Sequence, residues 1–271
     1  MKVWVLGSGS QGNAVLVECG ESRVLVDAGF GTRTLAGRLN AIGVSPASIE
    51  ACIVTHEHGD HVSGAAAGAR KWGWSLFASS GTVDASAALQ EANCARVPVG
   101  DCVTLSGMTL TTYAIPHDAA SPIGVRVTSG STGASAVVCT DLGYATDSVR
   151  ALCSEADILV LESNHDDGML RAGPYPRSVQ ARIASRVGHL SNGLSAALVR
   201  DVVHRHLAHV VLAHLSEHCN DRGIAHRCMT EALGRTRFRG ATSVAMQHGV
   251  VGPFVPRAAR AETPVQFALA L

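Results

Sequence analysis

The run Ala51-Cys-Ile-Val-Thr-His-Glu-His-Gly-Asp-His61 decides how the rest of this chain is read. An apolar stretch of strand character leads straight into His56, His58, Asp60 and His61, four side chains able to bind metal within six positions. Imidazole nitrogens together with a carboxylate suit zinc or a similar first-row ion. The His56/His58 pair and the adjacent Asp60 and His61 do not converge easily on one point, so the spacing points to two ions held side by side. Without metal, the same run is a polar surface turn whose histidines are incidental.

Upstream, residues 3–6, 14–18 and 24–27 read as short strands, the first two joined by the glycine-rich loop 7–13, as in an antiparallel start. A helix with Leu35, Leu39 and Ile42 on one face stops near Gly43. Downstream, residues 61–72 and 82–91 read as helices on either side of an extended segment 75–78. Strand patterning then resumes at 103–105, 108–115, 123–128 and 136–140, as a second sheet. From Thr146 onward helices alternate with strands at 158–161, 210–213 and 243–246. Halves rich in strand with helices outside make a layered α/β plan. Pro253 and Pro256 are expected to break whatever follows the last strand. One hydrolase domain over residues 1–256 and a C-terminal tail over 257–271 is the expected organisation.

With 271 residues, 46% of them hydrophobic, the chain can bury a sizeable core. The 22 basic and 22 acidic residues balance, so no global field draws it to nucleic acid or to an anionic membrane. A nucleic-acid substrate would have to be held locally. No signal peptide and no apolar run of membrane-spanning length is legible. Eight dispersed cysteines without a C-x-x-C pair read as reduced core thiols of a cytoplasmic protein.

Three later segments place a ligand-capable side chain where an apolar strand meets a loop: His117 after Ile115-Pro, Asp141 after Val137-Val-Cys-Thr, and His214 after Val210-Val-Leu-Ala. Taken singly, each is a weak signal, since a strand-terminal His or Asp more often caps a turn or satisfies a backbone group. Their order after the first cluster favours the ligand reading.

The pattern T-H-x-H-x-D-H, matched at every defined position from Thr55 to His61, resembles the signature of the metallo-β-lactamase superfamily. The resemblance extends through Leu6-Gly-Ser-Gly-Ser-Gln-Gly-Asn-Ala14, Val26-Asp-Ala-Gly29, Pro116-His-Asp-Ala119, Thr140-Asp-Leu-Gly143, Glu162-Ser-Asn-His-Asp166, Gly188-His-Leu-Ser-Asn192 and His214-Leu-Ser216. The later motifs resemble the WalJ/YycJ-like branch near the RNase Z-type nucleases. This implies an αββα sandwich, two mixed β-sheets with outer helices, and two divalent ions, zinc first and manganese second. By motif, His56, His58 and His117 would hold one ion, Asp60, His61 and His214 the other, and Asp141 would bridge them. Asp27 would orient ligands without binding metal.

The same resemblance implies a phosphodiesterase acting on nucleic acid, DNA before RNA and exonuclease before endonuclease. Two ions about 3.5–4 Å apart share a hydroxide that attacks phosphorus. Asp60, His189 and Glu162 form the implied catalytic set, with His189 protonating the leaving alkoxide and Glu162 raising and orienting that imidazole. In the bland alternative, His189 caps the following helix and Glu162 is a polar strand end. Two other functions stay open: hydrolysis of a small thioester, lactone or phosphodiester, and a non-enzymatic nucleic-acid-binding or regulatory protein containing metal.

Substrate contacts are expected from Ser10 and Asn13 in the glycine loop and from His165, with Arg171, Tyr175 and Arg177 as a local basic and aromatic edge. From glycine alone the loop reads better as a tight strand connection, His165 reads equally as a structural loop histidine, and the Arg171 to Arg177 edge reads more simply as a solvated loop. Asp118 is read as a turn cap. His204 and His206 are placed at the end of a helix, where they face apart.

Overall fold

Val3 and Val5 alternate with Trp4 and Leu6, and all four are buried. A strand apolar on both faces needs cover on both, and the molecule supplies it in layers. The computed structural model describes residues 1–257. Strands β1 (Lys2–Gly7), β2 (Ala14–Cys19), β3 (Ser22–Val26), β4 (Ala51–Val54), β5 (Ser75–Ala78) and β6 (Ala95–Arg96) build one sheet. Strands β7 (Cys102–Thr104), β8 (Met108–Ala114), β9 (Ile123–Ser129), β10 (Ser135–Cys139), β11 (Ile158–Glu162), β12 (His209–Ala213) and β13 (Ala241–Val244) build the other. β14 (Val251–Phe254) returns to the first sheet beside β1, so both sheets have seven strands.

Side-chain alternation sorts the core into three bands. Val15, Val17, Val24, Val26 and Ile53 meet Leu110, Val125, Val127, Val138 and Val160 between the sheets. The opposite parity, Leu16, Leu25 and Val54, packs outward on Leu35 and Leu39 of helix α1 (Thr32–Ala41). On the other side Val137, Leu159, Leu161 and Leu212 face a second helix layer. This is the expected αββα sandwich of two mixed sheets. All eight cysteines are free thiols.

Three local expectations are corrected. The helix read over 61–72 is broken into α2 (Gly59–Val62) and α3 (Ala65–Trp72). Between them Gly64 lies so close to the Phe30 backbone that a Cβ would sit 2.0 Å from its carbonyl oxygen. The helix read over 82–91 is likewise two, α4 (Ser80–Asp84) and α5 (Ala87–Glu91), because Ser86 caps the second by accepting from the Leu89 N–H. Residues around Pro253, expected to lack structure, form β14, paired antiparallel with β1 through Val3↔Phe254 and Val5↔Val251, with a shift in register between the two pairs. At a sheet edge the missing proline N–H costs no ladder bond. Of the tail read over 257–271, residues 258–271 lie outside the described residues.

The remaining helices are α6 (Asp147–Cys153), α7 (Asp167–Ala172), α8 (Arg177–Ile183), α9 (Asn192–Val202) and α10 (Arg222–Leu233). β3 runs parallel to β4, and β10, β11 and β12 run parallel to one another, so within each sheet these strands end at a common edge.

Candidate metal centre

The polar residues that matter sit just beyond those strand ends: Asp27 after β3, His56 to His61 after β4, His117 after β8, Asp141 after β10 and His214 after β12, with Glu162 closing β11. Asp27, Asp141 and His214 carry φ of 63°, 56° and 54°. An L residue seldom adopts that left-handed conformation, and holding it costs on the order of 1 kcal/mol or more each. The turn it produces ends each strand abruptly at the residue that belongs to the site.

Side-chain nitrogens and oxygens gather into overlapping groups, each within 4.8 Å: His56, His58 and His117; Asp60, His61 and His214; and His56, His61 and Asp141. His58 Nδ1 lies 3.4 Å from His117 Nε2. His61 Nε2 is 2.9 Å from Asp141 Oδ2 and 3.4 Å from Asp60 Oδ2. His214 Nε2 lies 3.3 Å from Asp60 Oδ2 and 3.5 Å from Asp141 Oδ1. Asp141 thus approaches rings of both groups, with Oδ2 2.9 Å from His61 Nε2 and Oδ1 3.8 Å from His117 Nε2.

The far nitrogen of most of these rings has an acceptor of its own. His61 Nδ1 donates to Asp27 Oδ2 at 2.7 Å, His214 Nδ1 to Glu162 Oε1 at 3.1 Å, and His117 Nδ1 to the Gly188 carbonyl at 3.2 Å. His56 Nδ1 lies 3.1 Å from Thr55 Oγ1, which itself donates to Asp27 at 3.0 Å. Anchoring one nitrogen this way turns the other inward with its lone pair, as a metal ligand requires. His56 Nε2 is buried with no hydrogen-bond partner. An orphaned imidazole nitrogen facing lone pairs and carboxylates fits a divalent cation, and the oxygen and nitrogen donors suit zinc or manganese.

Electrostatics point the same way. Burial, then the neighbouring His61, pushes His56 down to about 2, so it is a neutral donor. Burial opposes charge on His214, but Asp141 and the hydrogen bonds to Asp60 and Glu162 outweigh it and raise the ring to about 10. His61 is raised well above the usual range because Asp141 and Asp27 overcome the same penalty. Burial likewise resists ionisation of Asp141, yet His214 and His61 hold its carboxyl well below the ordinary value. The centre is built for positive charge.

Beside it, His189 Nδ1 meets Glu162 Oε1 at 2.8 Å, and its ring stacks on His214 with centroids 5.3 Å apart. Glu162 Oε2 accepts the N–H groups of Leu142 at 2.7 Å and Leu190 at 3.0 Å. Burial disfavours the Glu162 anion, but His189 and His214 bring it down to about 2. Burial would lower His189, whereas Glu162 raises it overall. His189 is not the cap of α9; Ser191 is, accepting from the Leu194 N–H.

Asn13 is buried and reaches inward: its Nδ2 donates to Asp60 Oδ2 at 3.2 Å, and its Oδ1 accepts from Ser8 Oγ at 2.8 Å and the Gly9 N–H at 3.0 Å. Ser10 is exposed and borders a cavity of about 430 Å³ shared with Ser8, Leu215 and Arg222. His165 is 1% exposed, with Nδ1 lacking a partner, and lies outside the ligand groups. Arg171 lies in the last turn of α7 and Arg177 opens α8, both exposed, while Tyr175 packs 6.0 Å from the His218 ring. Asp118 is held by Arg182, with Nε donating at 2.7 Å, and its Oδ1 lies 3.2 Å from His117 Nε2. His204 and His206 lie beyond the end of α9, not within it. Three positioning groups were missed: Ser8, which accepts the His214 N–H at 2.8 Å, Asn164, which donates to the His214 carbonyl at 2.9 Å, and Thr55. Each lay inside a quoted motif, Thr55 as the first letter of the histidine run, Ser8 in the glycine loop and Asn164 in Glu162-Ser-Asn-His-Asp166, but with no role attached.

Comparison with known proteins identifies the family. The family described as the beta-lactamase superfamily domain matches residues 22–215. Exodeoxyribonuclease YycJ of Bacillus anthracis is 32% identical over 242 residues, covering 86% of this chain and 89% of that protein. Exodeoxyribonuclease WalJ of Streptococcus pneumoniae is 33% identical over 241 residues, covering 86% and 88%. The crystal structure of the metallo-β-lactamase fold protein YhfI from Bacillus subtilis superposes with a TM-score of 0.68 at 18% identity, covering 92% of this chain and 98% of that one. A matching family over most of the chain, the layered fold and the His/Asp donor set lead to one assignment: this chain belongs to the metallo-β-lactamase superfamily and is a metal-dependent hydrolase.

Proposed function

We propose that the chain is a binuclear-metal phosphodiesterase acting on nucleic acid, as an exonuclease on DNA. The observation that carries this reading is the 2.8 Å contact of His189 with the buried Glu162 carboxylate, set against the ligand group. A raised, oriented imidazole serves a reaction whose leaving group must take up a proton, such as the alkoxide of a phosphodiester. A thiolate leaves without that help. The two exodeoxyribonucleases, similar along 86% of this chain, support the same substrate class.

In this reading His56, His58 and His117 hold one divalent ion, Asp60, His61 and His214 the other, and Asp141 lies between them. When bound, the ions supply water activation and charge neutralisation at the phosphoryl group. Zinc is the first choice and manganese the second. Asp27 and Thr55 fix the rings of His61 and His56, and Asn13 aims Asp60. Glu162, pinned by two backbone N–H groups, keeps the proton on His189 ready for the departing oxygen. That proton leaves from Nε2, since Nδ1 faces Glu162. The free thiols favour a reducing compartment, the cytoplasm.

The reading is tested by incubating metal-defined protein with end-labelled single- and double-stranded DNA and RNA, alongside thioester and lactone substrates, with Asp141→Ala as control. Stepwise loss of label from DNA, abolished in the variant, is the expected result. Intact polymers together with turnover of a thioester would overturn it.

A further inference from the structure

The balanced charge of the whole chain conceals a local imbalance. Between residues 222 and 239 there are five arginines and a single carboxylate, Glu231. α9 and α10 pack against each other, and a groove of about 350 Å³ beside them is lined by Arg200 from α9, Arg227 from α10 and Arg235 just beyond it. All three are exposed, and among the described residues none of them pairs with a carboxylate. Asp201, next to Arg200, is taken by Arg150 at 2.8 Å. Glu231 lines the groove as its single acid, leaving it net positive.

Position relates this groove to the metal centre. α9 begins three residues after His189, and α10 begins after the loop that follows His214. Arg222, the first residue of α10, borders the 430 Å³ cavity with Ser8 and Leu215. From there the 12 residues of α10 lead away over about 18 Å, at ~1.5 Å per residue. That is roughly the rise of five nucleotides in a stacked strand. A balanced protein that leaves three guanidinium groups unpaired on one groove has a surface suited to a row of phosphates, which arginine grips in a planar, bidentate fashion.

We propose that the groove between α9 and α10 carries the phosphodiester backbone of the DNA substrate away from the metal centre, with Arg200, Arg227 and Arg235 each engaging a phosphate. The inference rests on the nuclease reading above and supplies the local hold that zero net charge otherwise denies.

The test compares the wild type with the triple variant R200E/R227E/R235E. Binding of fluorescent phosphorothioate DNA is followed by anisotropy across a salt series, cleavage is measured on ordinary DNA, and turnover on bis(p-nitrophenyl) phosphate, which is too small to reach the groove. Loss of three phosphate contacts should weaken DNA binding at least about tenfold and flatten the log K against log salt slope by about two to three. Turnover of the small ester should stay unchanged, which also certifies the fold. The milder R200Q/R227Q/R235Q variant should fall between. Unchanged DNA affinity and slope in the Glu variant would overturn the groove alone. Wild-type protein that turns over the ester but neither binds nor cleaves DNA would overturn the nuclease reading and the groove with it.

Discussion

Replacing His189 with Ala separates proton donation from metal scaffolding, because the structure holds Glu162 in place without it. Glu162 Oε2 keeps the Leu142 and Leu190 N–H groups at 2.7 and 3.0 Å, and Oε1 keeps His214 Nδ1 at 3.1 Å. The truncated side chain therefore leaves the carboxylate bound and His214 oriented, while removing the acid. Loss of a general acid lowers rate by about 10²- to 10⁴-fold, or roughly 2.7–5.5 kcal/mol of transition-state stabilisation. The assay measures kcat on DNA, whose alkoxide leaving group needs a proton, and on bis(p-nitrophenyl) phosphate, whose phenolate leaves readily without one. The expected result is the full loss on DNA and a change of no more than a few-fold on the activated ester, at unchanged metal content. Because Glu162 outweighs burial and raises His189, the acid form persists to higher pH than in an unperturbed imidazole, and the wild-type rate on DNA should fall as pH rises through that raised value. The variant should lack this alkaline limb. Equal losses on both substrates, or loss of metal together with activity, would refute proton donation and make His189 part of the scaffold.

Asp27→Asn turns an amide N–H toward the His61 Nδ1 proton, where the carboxylate now accepts at 2.7 Å. Metal affinity should fall about 10- to 100-fold in competition with a chromophoric chelator, and an unchanged affinity would remove Asp27 from the ligand-orienting role. Gly29→Ala would place a Cβ 1.7 Å from the Asp60 carbonyl oxygen and 2.3 Å from its carbon, backbone atoms that cannot swing aside. Urea unfolding should show a loss of at least about 1–3 kcal/mol, with reduced metal content. Metal binding should also release protons at neutral pH, since carboxylates hold His214 protonated up to about 10 and raise His61 well above its usual value. Affinity then grows as pH rises. The stabilisation that the protonated His214 ring gives the metal-free protein is complete below the ordinary histidine value of 6.5 and fades as pH climbs toward 10. Calorimetry in buffers of different ionisation enthalpy should report close to two protons released per chain; none released would contradict the electrostatic picture.

The histidine-rich run was legible because metal binding demands particular residue types at close spacing, and the strand-terminal His117, Asp141 and His214 because apolar runs end visibly. The layers were legible from two-residue alternation, as in Val15, Leu16 and Val17. What escaped depends on tertiary contact. Nothing local in residues 61–72 announces that Gly64 must press against the Phe30 backbone, and a proline at 253 argues against a strand unless its place at an edge is known. Asn13 reads as a loop asparagine open to substrate; only the fold turns its amide onto Asp60. The left-handed φ of Asp27, Asp141 and His214 leaves no mark in composition, since none of the three is glycine.

The proposed centre holds a pair of ions on seven side chains, with Asp141 shared between them. Its most direct test is the metal content of purified, metal-loaded and desalted protein by plasma mass spectrometry against protein concentration, for the wild type and Asp141→Ala. Close to two equivalents of divalent metal per chain are expected in the wild type, with a loss of at least one in the variant. A single equivalent in the wild type, or two retained without Asp141, would contradict it.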